Sequence, residues 1–204
     1  VIEQNEAGKY YPLWGTCMGF QVIAGLLQGG DFNILTHDCI GCYGVNLNNY
    51  FHEDENSERS KLYAGLPEDL FEAMSIKNLS VFSHKSNFHW DTFMDATPLN
   101  KHLRPITYTF DKKGLKYVSS YESPSMPIYA TQFHPEKSTY EWKTPYYINH
   151  GSEAVRLQQY LANFFVDEAR KNRNTFPDVQ DYVIENYQVT VLKRTAFCSF
   201  YFFP

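Results

Sequence analysis

The spacing of apolar positions near the start of the chain predicts a strand followed at once by a helix. Residues 10–14 form a short apolar run that stops at Gly15, a pattern typical of a buried strand. After residue 17 the spacing becomes helical, with apolar side chains at Phe20, Ile23, Ala24 and Leu27. Glycines 29 and 30 then end the helix. We therefore expect residues 11–28 to form a strand, a tight turn and a helix.

The same patterns predict further elements downstream. Residues 31–60 are rich in Asn, Asp, Gly and Glu and indicate loops with one or two short strands. Apolar patterning and turn residues then predict a helix over 67–74, strands over 80–83, 106–110, 115–119 and 128–133, and a helix over about 152–171. The strands at 106–110 and 115–119 flank a turn and form a hairpin. A last apolar run covers residues 197–203.

Strands that alternate with helices are typical of an α/β fold, and the hairpin adds an antiparallel region. The length of 204 residues favours a single domain over residues 1–204. Hydrophobic residues make up 43% of the chain and aromatic residues 17%, which is enough apolar material for a packed core.

Charge and hydropathy exclude two classes of partner. The formal net charge is -5 and the chain has no basic run or stripe, so nucleic acid is not an expected partner. The apolar runs are too short to span a bilayer, so we expect no membrane segment.

The four cysteines leave several readings open. Their even number is compatible with disulfides, but four are too few for a disulfide-built scaffold of this length. Cys39 and Cys42 have the C-x-x-C spacing of metal and redox sites, and His37 is close in sequence. This is only a partial ligand set, so we expect no metal here. Residues 78–80 fit an N-glycosylation sequon, which weakly favours a secretory route.

The strongest chemical signal is G-x-C-x-G at the predicted strand-to-helix turn. Gly15, Cys17 and Gly19 reproduce, with cysteine, the nucleophile elbow of hydrolases. Such a turn strains the nucleophile's backbone, and we expect side chains at both flanking positions, 15 and 19, to collide. It also places the sulfur at a helix N-terminus and directs the backbone N–H of Met18 towards a developing oxyanion. A buried structural cysteine between two turn glycines is the alternative reading.

A cysteine nucleophile needs a base and a group that orients the base. His134 and Glu136 can supply both, because residues two apart on an extended backbone project to the same side. Pro135 between them favours a strand end, where side chains can face a cleft. Alone, His-Pro-Glu is a weak pattern; together with the elbow it predicts a Cys-His-Glu catalytic set.

These residues resemble the class I glutamine amidotransferase superfamily and, within it, the gamma-glutamyl hydrolase family. The similar stretches extend almost end to end along the chain: residues 11–20, 87–89, 132–137, 140–142 and 164–172. Two of them, Tyr-Glu-Trp at 140–142 and the helix end at 164–172, look specific to the hydrolase branch. The resemblance implies a three-layer α/β domain, mostly parallel, with helices on both faces of the sheet.

The resemblance also implies roles for individual residues. Cys17 would be the nucleophile, His134 the general base and Glu136 the third member of the set. His89, in the Asn-Phe-His stretch, would be an additional active-site residue, with an ordinary loop histidine as the alternative. Gln21 departs from the family pattern, which has Glu there; a glutamine keeps the shape but cannot act as a base.

For function, the resemblance implies hydrolysis of gamma-glutamyl bonds in folyl-poly-gamma-glutamates, with no cofactor or metal. It also implies a small-molecule substrate as the partner, a lysosomal or secreted location, and a homodimer as an open expectation. The alternatives are a glutaminase domain that supplies ammonia to a synthase, and a catalytically impaired homologue. Because the chain starts at Val1, shortly before the nucleophile strand, we expect an N-terminally truncated sequence.

Overall fold

The computed structural model describes residues 1–52, 60–142, 146–191 and 199–201. Within it the chain divides into two compact units, residues 1–172 and residues 173–204. The expectation of one domain over residues 1–204 stays a prediction. Among the described residues, no helix is both long enough and apolar enough to cross a membrane.

The first unit alternates helices and strands. Its elements are α1 (Ile2–Glu6), β1 (Leu13–Thr16), α2 (Met18–Leu27), β2 (Tyr43–Leu47), β3 (Tyr50–Phe51), α3 (Glu68–Ile76), β4 (Ser80–Ser83), α4 (Trp90–Asp95), α5 (Thr97–Asn100), β5 (Arg104–Phe110), β6 (Lys116–Glu122), β7 (Ile128–Thr131), α6 (Lys137–Tyr140) and α7 (Ser152–Arg170).

Five strands form the main sheet, in the order β1-β7-β6-β5-β3, and β2 pairs with β4 in a separate ladder. The pair β1–β7 is parallel, with Gly15 opposite Ala130 and Thr16 opposite Thr131. The other three neighbouring pairs of the main sheet are antiparallel. The antiparallel part therefore extends beyond the predicted hairpin, because β7 also follows β6 through a short connection and pairs beside it.

Helices cover both faces of the sheet. On one face, α3 and α7 contribute Leu70, Met74, Leu157 and Leu161 to an apolar cluster that also contains Tyr129 of β7. On the other face, α2, α4 and α5 pack against alternate residues of β7, including Ile128 and Ala130. Neighbouring residues of a strand face opposite sides, so β7 is buried on both. This arrangement confirms the α/β class with its central sheet between two helical layers.

The elements predicted from apolar spacing are present with shifted ends. The helix after Cys17, the strand at Ser80–Ser83, the hairpin and the long helix at Ser152–Arg170 are confirmed, and the loop region before residue 60 contains the two short strands β2 and β3. Pro67 caps helix α3 and is not its first residue. The short helices α1, α4, α5 and α6 were not predicted, because each has too few residues to show an apolar period.

The second unit contains α8 (Val179–Tyr182), a 3-10 helix at Ile184–Asn186, and the antiparallel strands β8 (Val189–Val191) and β9 (Ser199–Tyr201). The apolar run predicted at 197–203 includes β9; its other residues lie outside the described part of the chain.

Candidate active site

Parallel pairing of β1 with β7 brings the two predicted catalytic residues to the same edge of the sheet. The ladder ends with the Cys17 N–H donating to the carbonyl of Thr131 at 2.8 Å. Three residues later on the β7 side, the His134 N–H donates to the carbonyl of Val81 at 2.7 Å. Both strands therefore end at the same level, and the residues that follow them come together beyond the carboxyl ends of the strands. Ligands of α/β proteins commonly bind at this edge of the sheet.

The elbow predicted at Cys17 is present. Cys17 has φ 53° and ψ -102° and is the N-cap residue of α2, so a non-glycine side chain occupies a strained backbone conformation. A Cβ on Gly15 would lie 2.7 Å from the Gly19 carbonyl carbon and from Ile23 Cδ1. The turn therefore requires glycine at position 15.

The structural requirement at Gly19 differs from the one expected. A Cβ placed there would meet nothing within 4 Å, so the space is open. What Gly15 approaches is the backbone of Gly19, which every residue type has. The expectation that side chains at both flanking positions would collide is thus wrong for Gly19.

His134 lies between Cys17 and Glu136. Its Nδ1 is 2.7 Å from Glu136 Oε1, and it also forms a hydrogen bond with the Cys17 side chain. Burial alone would lower the pKa of His134, but the hydrogen bonds and negative charges of Cys17 and Glu136 outweigh it and raise this pKa to about 9. For Glu136, burial would raise the pKa, and the hydrogen bond and charge of His134 bring it below its usual value. The Glu136 side chain is 57% exposed, so water screens part of this interaction.

A second histidine, His84, enters the site from the end of β4. Its ring is buried, with 5% of the residue exposed. Burial lowers the pKa of His84 to about 4, so this ring is neutral near pH 7. The neighbouring Ser83 carbonyl oxygen lies 3.9 Å from Cys17 Sγ. Sequence reasoning missed His84; the signal was its position directly after a predicted strand.

His89, the histidine that the resemblance pointed to, has different contacts. Its Nε2 is 3.0 Å from Asp38 Oδ1, and it is the N-cap residue of α4. The contacts described for its side chain do not include Cys17, His134 or Glu136. Its role in the active site stays a prediction.

Gln21 faces the base segment from the first turns of α2. Its Nε2 donates to the Ser86 carbonyl at 2.9 Å and to Gln132 Oε1 at 3.0 Å. Gln132 is fully buried, and its own Nε2 has no hydrogen-bond partner among the described residues. A glutamate at position 21 would offer that amide an acceptor.

Two other predicted features have a defined place. Met18 begins α2 directly after Cys17 and is 72% exposed. The oxyanion role of its N–H stays a prediction. Cys39 and Cys42 form a disulfide, which was one of the readings left open.

A cavity of about 800 Å³ lies elsewhere in the first unit. It is lined by residues at the amino end of β7, such as Pro127 and Tyr129, and by the last turns of α7. Cys17 and His134 follow the carboxyl ends of β1 and β7, so this cavity is not part of their site. The candidate active site is therefore the group of Cys17, His134 and Glu136, whose side chains can act chemically on a substrate, although the cavity lies elsewhere.

The fold and the site define the class of protein. Residues 2–152 match the family model described as glutamine amidotransferase class-I, and the chain belongs to this family.

The similarity to gamma-glutamyl hydrolases is also confirmed. The chain is 35% identical over 176 residues to gamma-glutamyl hydrolase of Rattus norvegicus, an alignment that covers 86% of the chain and 53% of that protein. It is 32% identical over 207 residues to gamma-glutamyl hydrolase B of Dictyostelium discoideum, with 100% and 58% covered. The human gamma-glutamyl hydrolase is 31% identical over 175 residues, with 86% and 53% covered. The chain thus spans a little over half the length of these relatives.

Proposed function

We propose that this protein is a cysteine hydrolase that cleaves gamma-glutamyl bonds in folyl-poly-gamma-glutamates through a thioester on Cys17. The observation that carries the proposal is the set Cys17–His134–Glu136 at the end of a parallel strand pair. The names of the similar proteins support the gamma-glutamyl bond as the bond cleaved.

In the proposed reaction, the sulfur of Cys17 attacks the carbonyl carbon of the gamma-amide. Within the pair, His134 holds the proton that the Cys17 thiol gives up and later passes it to the leaving amine, while Glu136 accepts a hydrogen bond from His134 Nδ1 and orients the ring. Water, deprotonated by His134, then hydrolyses the thioester and frees the sulfur. The Met18 N–H at the helix start stabilises the oxyanion in both steps.

The direct test is capture of the thioester. The purified protein is mixed with folyl-di-gamma-glutamate, quenched in acid, digested and analysed by mass spectrometry. We expect an acyl group on the peptide that contains Cys17, together with release of free glutamate or a shortened folate. Cys17→Ser is the matched variant and should give no thioester. Acylation at another residue would contradict the proposal.

A glutaminase that supplies ammonia is distinguished by its substrate. Free glutamine and a gamma-glutamyl peptide are offered to the same preparation, and ammonia and amino acid release are measured. Our proposal requires faster cleavage of the gamma-glutamyl peptide. Ammonia release from glutamine at a higher kcat/KM would favour the glutaminase function.

A catalytically impaired homologue is the second alternative, and Gln21 is the observation that favours it. Its amide leaves Gln132 Nε2 without an acceptor beside the base segment. If this pairing limits the rate, Gln21→Glu should raise kcat, with Gln21→Met as the control that restores no acceptor. Failure of a thiol-reactive glutamine analogue to label Cys17 in the wild-type protein would indicate an inactive site.

The remaining expectations also belong to the proposal. The resemblance supports a small-molecule folate substrate, a homodimer and a lysosomal or secreted location. Size-exclusion chromatography with light scattering tests the dimer, and immunofluorescence against a lysosomal marker tests the location.

A further inference from the structure

Cys39, Cys42 and His84 form a cluster that the proposed hydrolysis does not use as a unit, and we call it the thiol–imidazole cluster. One ring nitrogen of His84 and the two sulfur atoms lie within 4.8 Å of one another. Cys42 and His84 are buried, and Cys39 is half-buried. The sequence pointed to His37 as the histidine nearest this pair, but His37 instead contacts Ser86 Oγ at 2.6 Å.

The His84 ring has one nitrogen that its protein neighbours do not use. Its Nδ1 lies 2.9 Å from the Ser86 carbonyl oxygen, which can only accept, so Nδ1 carries the proton. Nε2 is then an acceptor with a free lone pair. Nε2 is buried and has no hydrogen-bond partner among the described residues, and only 5% of the His84 surface is exposed. A histidine whose other nitrogen donates to a backbone carbonyl is the usual form of a metal ligand.

The backbone around the two cysteines is fixed by contacts that do not depend on the disulfide. The Cys39 N–H donates to the Lys85 carbonyl at 3.2 Å, and the His84 N–H donates to the Cys42 carbonyl at 3.0 Å. These bonds tie both cysteines to the segment that carries His84. Ile40 is held by Asp111 Oδ2 through its N–H and by the Lys112 N–H through its carbonyl. Breaking the S–S bond therefore leaves the three side chains close together.

We propose that reduction of the Cys39–Cys42 disulfide converts the thiol–imidazole cluster into a binding site for one thiophilic divalent cation of the zinc class. A phosphine or dithiol reductant supplies two electrons and breaks the S–S bond; with a phosphine, water provides the oxygen of the phosphine oxide and the two thiol protons. The cation then displaces both protons and bonds to two thiolates and to His84. Three protein ligands leave one position of a tetrahedral site for water.

The spacing suits this ligand set once reduction has allowed the two sulfurs to separate. Two ligands that are each about 2.3 Å from zinc in a tetrahedral site lie roughly 3.8 Å apart. In the disulfide the two sulfurs are bonded to each other, so they must move apart after reduction to reach this separation. At present no two of the three ligand atoms are more than 4.8 Å apart. Edge-on contact with the Tyr117 ring, at 5.5 Å between centroids, holds the His84 ring in place.

Cobalt(II) is the probe that tests the site, because thiolate-bound cobalt absorbs in the near ultraviolet and tetrahedral cobalt absorbs strongly in the visible. The chain is prepared with Cys17→Ser, which removes the free thiol of the proposed active site, and is titrated with Co²⁺ before and after reduction by a phosphine. We expect one Co²⁺ per reduced chain with both absorptions, displacement by Zn²⁺, and neither absorption in the oxidised chain.

Substitutions in the same background identify the ligands. Cys39→Ser should abolish the thiolate absorption that one of the two sulfurs provides and weaken Co²⁺ binding at least about tenfold, and His84→Gln should weaken it similarly. His37→Gln and Cys198→Ser are the matched controls and should bind as the parent does. Circular dichroism confirms that each variant is folded.

The comparison of oxidised and reduced protein needs no substitution in the cluster, so it decides the proposal even if a variant fails to fold. Absence of thiolate–cobalt absorption in the reduced chain would overturn the proposal, and so would equal binding in the oxidised chain or undiminished binding in folded Cys39→Ser. None of these readouts measures hydrolysis, so the outcome is independent of the proposed enzymatic function.

Discussion

Cys17 combines three properties that few side chains share: a positive φ, a place at the start of a helix, and a hydrogen bond with a histidine. Strain of this kind persists only where the surrounding structure enforces it, and it is concentrated at functional sites. The sulfur is thereby held beside its base in a fixed position, which is the geometric condition for nucleophilic catalysis.

Removal of the sulfur should therefore abolish turnover and leave the fold intact. We expect Cys17→Ala to lower kcat for gamma-glutamyl hydrolysis by about 10^4 to 10^6-fold, as for other nucleophiles in an interdependent set. Cys198→Ala is the matched cysteine control and should keep its activity. If Cys17→Ala retained more than about a tenth of the rate, the nucleophile assignment would be wrong.

The raised pKa of His134 makes stability depend on pH. Between its ordinary pKa of 6.5 and about 9, the folded protein holds a proton that the unfolded chain has lost. The stabilisation from this group is therefore complete below pH 6.5 and is lost as the pH rises through about 9. In this window the free energy of unfolding should fall with a slope of up to about 1.4 kcal/mol per pH unit from His134.

The measurement is urea unfolding at several pH values between 6 and 10. Compared with the wild-type protein, His134→Gln should remove this contribution to the slope, and Glu136→Gln should reduce it because the carboxylate partner of His134 is lost. A wild-type slope equal to that of His134→Gln would contradict the raised pKa.

At the scale of elements, β1 and α2 pack closely at the elbow, and only one of the two elbow glycines is needed for this close approach. Gly15 packs against the backbone at Gly19 and against Ile23, whereas Gly19 lies within α2 with open space beside it. Glycine inside a helix costs about 0.5–1 kcal/mol relative to alanine when nothing requires it.

The two glycines should therefore respond in opposite directions to the same substitution. Gly15→Ala should destabilise the protein by roughly 1–3 kcal/mol, because its Cβ overlaps the Gly19 backbone, which cannot move without moving the helix. Gly19→Ala should leave stability unchanged or raise it by up to about 1 kcal/mol. Thermal and urea unfolding of the pair test this; similar losses in both variants would show that the turn excludes side chains on either side.

The long amphipathic elements were predictable because a period needs several turns to show itself. Helix α7 has nineteen residues, and its inward positions Ala154, Leu157 and Leu161 are all buried. By contrast, α4 has six residues and α5 four, and tertiary contacts determine both. Their Phe93 and Leu99 are buried against α2 and β6, a partnership that local sequence does not encode.

At the scale of the whole molecule, Glu122 of the central strand forms hydrogen bonds with the loop at residues 60–62. It ends the central strand β6 and has no exposed surface. Its carboxylate accepts bonds from the Leu62 N–H at 2.9 Å and from Ser60 Oγ at 2.8 Å, and it pairs with Arg104 at 2.8 Å. This buried carboxylate satisfies donors from two separate parts of the chain.

Loss of that carboxylate should be among the most destabilising single changes in the first unit. We expect Glu122→Ala to cost roughly 3–5 kcal/mol, because buried N–H and hydroxyl donors and Arg104 lose their acceptor. Asp69→Asn removes one partner of the exposed Arg156 pair and should change stability little. Chemical denaturation measures both; equal effects would mean that the Glu122 network contributes no more than a surface ion pair.

The sequence alone predicted the α/β class and the elbow at Cys17, and it placed His134 and Glu136 on one side of an extended segment. These follow from local patterns: a change of period from strand to helix, a glycine two residues from the nucleophile on each side, and two side chains on one side of an extended segment. Such patterns extend over only a few residues, so they can be recognised in the sequence before the fold is known.

Only the tertiary structure decided which histidine lies beside the Cys39–Cys42 pair. His84 is 50 residues before His134 in the chain, and His37 and His89 were closer to the motifs by sequence. The backbone bond from His134 to Val81 joins the base segment to β4, and the bonds of residues 39 and 42 to the same segment bring the disulfide next to His84. These neighbours are set by long-range strand and loop pairing, which depends on the packing of the whole unit.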